Sequence, residues 1–442
     1  MLYFIQRTTV KSFSSKGTLF MDKKILWRYP LGNPTRVWKQ DNFILSNFSA
    51  RGDDMRKVLY NCAEAGFNML ELGWATHEQA NDALSICEEL GVDLLFQDFS
   101  RFGGMQCHRK NGNVDDLEGV VRDLKKWKCV AGFYIWDEPW KDDQLEASRF
   151  LVDLAERVAP EKLPFTVAIP SYNPDDTWDN NLFPVYLEKY INIINPPILS
   201  LDYYPFGIPG DQDEVAQCDH SRMWCDLGLM KKLGEKYNMP IWFYYQGQNL
   251  HKVDFFIFPM IRSMMYAGAL YGSKALQHFT AVGSIINKAG DKEEFFEDQK
   301  VIHKEFKNLG GTLMALTCKR VIHDATVQPK CDTFEEMHQK EKDSAYLAGD
   351  LPARISISEF EDDYGNGYMM VLNRDYMVEK QVSLPLNRNY RIYSVSKADG
   401  LQYVEADSAN SLNLTLAAGD AALIRLQKAE EDAFTIEYRL MK

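Results

Sequence analysis

The sequence of 442 residues lacks the short patterns that mark several common classes of protein. Its eight cysteines include no C-x-x-C pair and no Cys/His spacing typical of a zinc site, which excludes a zinc ribbon and a thioredoxin-like redox motif. No run of about 18 apolar residues is present, so hydropathy predicts no membrane-spanning helix. No Gly-rich phosphate loop follows the first predicted strand, FILSNFSARG, and no nucleophile elbow or Ser-His-Asp order is present.

A surplus of basic residues is also missing. Lys and Arg number 50 against 63 Asp and Glu, giving a net charge of -13, which argues against nucleic acid or an anionic membrane as a partner. The apolar run in MLYFIQRTTVKSFSSKG is too short for a signal peptide. Cys62 and Cys87 lie among apolar neighbours, which indicates buried thiols and favours a reducing compartment. We expect a soluble monomer or small homo-oligomer, either cytoplasmic or exported with a signal missing from the sequence as given.

From Phe43 onward, short β-rich runs alternate with longer amphipathic segments, and eight such pairs can be counted. Strands that are apolar on both faces and separated by helices predict a parallel sheet covered on both sides. We therefore predict an α/β fold with a (β/α)8 TIM barrel, the alternative being an open doubly wound sheet. Six period-two runs after Ala353 predict a C-terminal antiparallel β-sandwich domain. The predicted ranges are an N-terminal extension at 1–37, the barrel at 38–330, a linker at 331–350, the sandwich at 351–430 and a tail at 431–442.

The ends of the predicted barrel strands carry acids, aromatic residues and amides. Catalytic groups of such barrels lie at the C-terminal strand ends, so these side chains should meet on one face. Paired carboxylates supply the acid and base of glycosidic bond cleavage, and aromatic faces pack on sugar rings. The histidines show no metal-ligand spacing, so neither a metal nor a cofactor is expected. The candidate residues are Trp74, Asp98, Trp136, Asp137, Glu138, Asp202, Tyr203, Gln246 and His278.

The fourth predicted strand ends in GFYIWDEPW, residues 132–140, where Asp137 and Glu138 precede a proline. This motif, its place in the strand order and the C-terminal β-domain resemble the clan-A glycoside hydrolases, especially the β-galactosidase-like members. The resemblance spans about residues 43–430, but the matching motif is only a few residues long. It implies that Glu138 is the general acid/base.

Two positions depart from the pattern of that clan. Asp137 stands where the clan usually has an asparagine that binds a substrate hydroxyl. Gln246 stands at the end of the seventh strand, where the clan has its glutamate nucleophile, and an amide cannot form a glycosyl ester. Either Asp202 replaces the nucleophile, or the enzyme is inverting and Asp202 or Asp98 activates water, or the site binds sugar without cleaving it.

The sequence thus predicts a glycoside hydrolase acting on a neutral oligosaccharide or polysaccharide. Glu138 and Asp202 form the expected catalytic pair. The hydroxyl-binding candidates are Asp98, Asp137, Gln246 and His278, and the stacking candidates are Trp74, Trp136 and Tyr203. One alternative is a carbohydrate-binding barrel that has lost hydrolysis. A lyase or aldolase is a further alternative, against which stand the absence of a lysine at a strand end and of a metal-ligand triad.

Overall fold

The structure is a computed structural model that describes residues 35–73, 75–97, 114–171, 182–207, 216–250, 252, 255–329, 331, 334–338, 340 and 343–428. The predicted site residues Trp74 and Asp98 lie outside these ranges.

Eight parallel strands close into a barrel in chain order, with β1 paired to both β2 and β8. The strands are β1 Ile44–Asn47, β2 Met69–Glu71, β3 Asp93–Phe96, β4 Val130–Asp137, β5 Leu163–Ala168, β6 Leu199–Tyr203, β7 Ile241–Gln246 and β8 Ala275–Phe279. This topology confirms the predicted barrel and excludes an open sheet. All eight C-terminal strand ends consequently meet at one rim.

Apolar side chains fill the barrel interior and also cover its outer surface. The interior cluster includes Phe165 of β5 and Trp242 of β7, whose rings lie 5.7 Å apart. Two larger clusters pack the outer face of the strands against helices. These helices are α1 Met55–Glu64, α2 His77–Leu90, α3 Val114–Leu124, α4 Asp142–Val158, α5 Leu182–Ile194, α6 Ala216–Asp219, α7 Met223–Tyr237, α8 Phe258–Leu270 and α9 Phe296–Ala315. Burial on both faces explains why the strands read as nearly continuous apolar runs.

A six-stranded antiparallel sheet follows the barrel, in the order β13-β12-β14-β11-β10-β9. It fits the predicted C-terminal β-sandwich domain. Its strands are β9 Thr317–His323, β10 Ile355–Glu361, β11 Gly367–Asn373, β12 Lys380–Val395, β13 Gln402–Leu416 and β14 Ala421–Lys428. Leu347, Leu351 and residues of all six strands build a separate core under the sheet.

The second sheet begins with β9, Thr317–His323, inside the range of 38–330 that the sequence analysis gives to the barrel domain. β9 pairs with β10 in this sheet, and the short helix α10, Phe334–Met337, follows within the predicted linker. β9 is an edge strand in which exposed and half-exposed residues are mixed with buried ones, and α10 is only four residues long. Neither therefore leaves a clear periodic pattern in the sequence.

Polar contacts join the second sheet to the barrel. The fully buried guanidinium of Arg374, directly after β11, pairs with Asp219 at the end of α6 and with Asp324 after β9. Asn308 of α9 donates to the carbonyl oxygens of Lys397 and Ala398. Within the ranges given above, no helix has both the length and the apolar composition needed to cross a bilayer.

Candidate active site

Four acidic side chains lie at the C-terminal ends of β2, β4 and β6. Glu71 ends β2, Asp137 ends β4 with Glu138 directly after it, and Asp202 is the fourth residue of β6. Asp137 is in register with Val167, an interior residue of β5. Asp137 influences the pKa of the other three acids. The barrel therefore gathers these carboxyls at one rim. In the described part of the chain, no group of three or more His, Cys, Asp or Glu is arranged to hold a metal ion.

Glu138 is held by an unusual backbone turn. Its φ of 51° lies in the left-handed region, which residues other than glycine seldom adopt. Its backbone N–H donates to the carbonyl oxygen of Val167 at 3.1 Å, extending the pairing of β4 and β5 by one residue. The following Pro139 disfavours the right-handed helical conformation at Glu138. The turn ends the strand abruptly and leaves the half-buried Glu138 side chain beside Asp202.

Glu138 and Asp202 form an acid pair whose carboxyls are hydrogen-bonded to each other. Burial, followed by the charges of Asp202 and Asp137, raises the pKa of Glu138 to about 10. Burial and the charge of Asp137 raise the pKa of Asp202 to about 7. Two carboxylates in contact cannot both ionise readily, so the pair shares a proton.

Asp137 lies next to the acid pair and is half-buried. The hydroxyl of Tyr134, three residues earlier on the same strand, donates to Asp137 Oδ1 at 3.0 Å. Burial raises the pKa of Asp137 to about 6, against the opposing effect of this hydrogen bond. Asp137 is therefore ionised above neutral pH and adds negative charge beside Glu138.

Glu71 belongs to a polar layer inside the barrel. Its carboxylate accepts hydrogen bonds from Ser46 Oγ at 2.6 Å, from Gln277 Nε2 at 2.8 Å and from the hydroxyl of Tyr244. Burial raises its pKa to about 7 in spite of these three donors. Glu71 is not among the candidates named from the sequence, because a single acid carries no signal of the donors that surround it.

Tyr204, which sequence reasoning missed, accompanies the acid pair, whereas the predicted Tyr203 does not. The hydroxyl of Tyr204 is hydrogen-bonded to Asp202, and its ring lies 4.7 Å from that of Phe279. Tyr203 is 2% exposed, belongs to the outer core cluster and is hydrogen-bonded to Ser221. Side chains alternate along a strand, so Asp202 and Tyr204 share one face and Tyr203 takes the other. That alternation is the signal that could have found Tyr204.

Gln246 holds the loop after β6. Its Oε1 accepts from the backbone N–H of Phe206 at 2.8 Å, while Nε2 donates to the carbonyl oxygens of Phe206 at 3.1 Å and Gln248 at 3.3 Å. The side chain is fully buried. Its amide must both donate and accept at this place, which a carboxylate cannot do.

His278 and Trp136 lie on the outer side of the barrel wall. His278 is fully buried, its ring lies 5.2 Å from that of Tyr245 and 5.9 Å from that of Phe67, and burial lowers its pKa to about 3. Trp136 is 4% exposed and is in register with Thr166, whose hydroxyl contacts Tyr190 of α5. The structure thus brings together Asp137, Glu138 and Asp202 among the predicted residues and separates Trp136, Tyr203 and His278 from them.

No protein-family model matches the chain, and no curated protein matches its sequence. Solved structures that resemble it include an Anoxybacillus α-amylase, 10% identical, with 88% of this chain and 98% of the amylase covered and a TM-score of 0.47. The α-L-arabinofuranosidase of Thermotoga maritima is 10% identical, with 90% and 97% covered and a TM-score of 0.46. A GH27 β-L-arabinopyranosidase of Geobacillus stearothermophilus is 10% identical, with 88% and 96% covered and a TM-score of 0.45. At such scores the likeness carries no inference about activity, which rests on the side chains at the rim.

Proposed function

We propose that this protein hydrolyses glycosidic bonds, with Glu138 as general acid and Asp202 as the second catalytic carboxylate. The observation that carries the proposal is the hydrogen-bonded acid pair at the barrel rim, in which burial and neighbouring charge raise the pKa of both carboxyls. Glycosidic cleavage needs one protonated and one ionised carboxyl at the same time. A pair of carboxyls that shares one proton supplies that combination.

The two carboxyls divide the work by their environments. Glu138 gives its proton to the oxygen that leaves the anomeric carbon, and Asp202 stabilises or attacks the opposite face, directly or through water. Asp137 binds a substrate hydroxyl and keeps the pKa of Glu138 raised. The rings of Tyr204 and Phe279 offer an apolar face beside Asp202 on which a sugar can stack.

A neutral sugar suits this site best. The charged groups that raise the pKa values of Glu138 and Asp202 are acids, and no lysine or arginine of the described ranges is among them. An anionic sugar would add to this repulsion, whereas a neutral one only replaces the hydrogen bond between the two carboxyls.

Substrate must separate the acid pair. Carboxyls that act on one glycosidic bond stand about 5 Å apart in retaining enzymes and about 6.5 to 9.5 Å apart in inverting ones, and hydrogen-bonded carboxyls are closer than either. The leaving oxygen therefore takes the place of Asp202 as acceptor for the proton of Glu138. The separation in the substrate-bound state then decides between retention and inversion.

The contact between the carboxyls also favours a second candidate function, a barrel that binds sugar without cleaving it. If the pair stays closed, no anomeric carbon fits between Glu138 and Asp202. The two functions predict different results in one experiment, which combines a panel of aryl glycosides and neutral oligosaccharides with calorimetry. Turnover of a panel member supports hydrolysis, while binding by calorimetry without turnover at high protein concentration supports the second function.

A further inference from the structure

Two cysteine thiols outside the acid pair lie against each other. Cys225 is the third residue of α7 and is 4% exposed, and Cys331, shortly before α10, is half-buried. Their thiols are hydrogen-bonded to each other. A partly exposed cysteine thus lies in contact with a buried one, an arrangement that suits thiol–disulfide exchange.

The packing of α7 against the segment around α10 independently brings these residues together. Gly228 follows Cys225 by three residues and lies on the same face of α7. A Cβ atom added to Gly228 would lie 2.9 Å from His338 Cε1 and 3.3 Å from Met337 Cβ, so this face of α7 touches the end of α10. The backbone N–H of Phe334 donates to the carbonyl oxygen of Cys331 at 3.3 Å, which ties Cys331 to the start of α10.

We propose that Cys225 and Cys331 form a reversible disulfide by exchange with a small-molecule disulfide such as glutathione disulfide. The Cys331 thiolate attacks glutathione disulfide and releases one glutathione. The Cys225 sulfur then attacks the mixed disulfide at Cys331 and releases the second. Two protein thiols are oxidised to one disulfide, and one glutathione disulfide is reduced to two glutathione molecules, which take up the two thiol protons.

The disulfide links the barrel to the chain segment between β9 and β10. It would close a loop of about a hundred residues in the unfolded chain, and we expect it to raise Tm by about 5 °C through the entropy of that chain. Asp226, the next residue of α7, accepts a hydrogen bond from the backbone N–H of Ser171 at 3.0 Å, three residues beyond β5. The link therefore also fastens the helix that holds this part of the barrel rim.

Peptide mapping of the full-length protein tests this proposal. A Cys107→Ser background removes the cysteine that lies outside the described residues. The native protein is equilibrated with glutathione disulfide, alkylated and digested with trypsin, which yields peptides Met223–Lys231 and Cys331–Lys340. We expect these two peptides to be linked, the link to disappear with dithiothreitol, and Tm to be higher in the oxidised form.

The chain offers matched controls for this experiment. Cys331→Ser should abolish both the linked peptide and the rise in Tm. Burial and, after it, the nearby Cys129 raise the pKa of Cys87, and both cysteines are buried, so they should stay reduced under the same conditions. Absence of the Cys225–Cys331 link, a mixed glutathione disulfide that persists at Cys331, or equal linkage of Cys87 and Cys129 would each overturn the proposal.

Discussion

Glu138 carries two energetic costs that a residue selected for stability would not carry. Its left-handed backbone costs about 1 kcal/mol relative to glycine, and its carboxyl is placed beside two other acids. Strained backbone and buried acids of raised pKa are more common at functional sites than in the rest of a protein. The neighbouring Asp202 is 6% exposed and also carries the cost of burying an acid beside other acids.

Replacing Glu138 by glutamine should strongly reduce turnover of glycosides with a basic leaving group and leave the protein at least as stable above neutral pH. The native pKa of Glu138 is raised, so its contribution to stability is full below about pH 4 and is lost as pH rises toward the native pKa. Glu138→Gln does not titrate, and its Tm relative to the wild type should therefore increase between pH 4 and pH 8, as measured by calorimetry.

Glu146→Gln is the matched control, because Glu146 is exposed on α4. It should keep turnover and show the same difference in Tm at both pH values. A Tm difference for Glu138→Gln that is constant with pH would contradict a raised pKa at this residue.

Restoring a carboxyl at residue 246 should not create a nucleophile. Gln246→Glu loses both hydrogen bonds donated by Nε2 and places a charge in a fully buried position. We expect the free energy of unfolding to fall by about 3 kcal/mol or more. Urea denaturation measures this change.

Gln248→Glu is the control for Gln246→Glu. Its side chain is only half-buried, so a carboxylate at this position keeps contact with water. This variant should unfold nearly as the wild type does. Gain of hydrolysis in Gln246→Glu would contradict the role of the Gln246 amide in holding the loop after β6.

The same residues show how far the sequence predicts the rim. The motif places Asp137 and Glu138 because a strand end fixes their position along the chain. The sequence does not show whether the side chains of Tyr203 and His278 face the barrel interior or the helices, because this depends on the strand register. A shift of one residue along a strand turns a side chain from one face to the other. Nor does the sequence identify the hydrogen-bond partners of Gln246, which are backbone groups of Phe206 and Gln248.

At the scale of elements, a chain of hydrogen bonds connects α8, β9 and α10. The hydroxyl of Tyr271 contacts His323 Nε2 at 2.7 Å and His338 Nε2 at 2.6 Å. His338 Nδ1 faces the carbonyl oxygen of Phe334, which can only accept, so Nδ1 carries the proton and Tyr271 donates to Nε2. His323 Nε2 then donates to Tyr271, and Ser356 donates to His323 Nδ1. Each hydrogen in this series of hydrogen bonds has one acceptor when both histidines are neutral.

Removal of the Tyr271 hydroxyl should destabilise the junction of these elements. Tyr271→Phe leaves the Nε2 atoms of His323 and His338 without this partner, at a cost of about 1 to 3 kcal/mol. Tyr60→Phe is the control, because Tyr60 lies exposed on α1 and its loss should cost little. Equal denaturation midpoints for the two variants would contradict a stabilising role of the Tyr271 hydroxyl.

The buried histidines of this hydrogen-bond series should also make the free energy of unfolding depend on pH. Burial lowers the pKa of His338 to about 4 and that of His323 well below its ordinary value. The unfolded chain binds protons at about pH 6.5, so the free energy of unfolding should fall as pH drops from about 6.5 toward 4. In Tyr271→Phe the neutral histidines are less well paired, and we expect a weaker fall over this range in urea titrations.

At the scale of the whole molecule, Arg374 makes the barrel and the second sheet depend on each other. Breaking a buried ion pair by removing one partner leaves the opposite charges unpaired and costs about 3 to 5 kcal/mol. Arg374→Met should therefore lower the unfolding free energy by an amount of this order, measured by urea denaturation. Arg391→Met removes a more exposed pair with Asp407 and should cost less than about 1 kcal/mol. Similar losses for both variants would argue against the buried triad as the main link.

The order of the barrel strands is predictable from the sequence because every strand is buried on both faces and a helix separates it from the next. The junction is not, because Arg374 follows β11 while its partners Asp219 and Asp324 lie far away along the chain. Short elements such as α10 are stabilised by tertiary contacts, here that of His338 with Tyr271, rather than by their own periodicity.

The most direct measurement of the central claim compares two leaving groups on one sugar. A general acid matters most when the leaving oxygen is basic, so Glu138→Gln should lose about a thousandfold in kcat/KM on an alkyl glycoside. It should lose far less on the dinitrophenyl glycoside, whose leaving group departs without a proton. Equal losses on both substrates, or undiminished cleavage of the alkyl glycoside, would contradict the assignment of Glu138 as the proton donor.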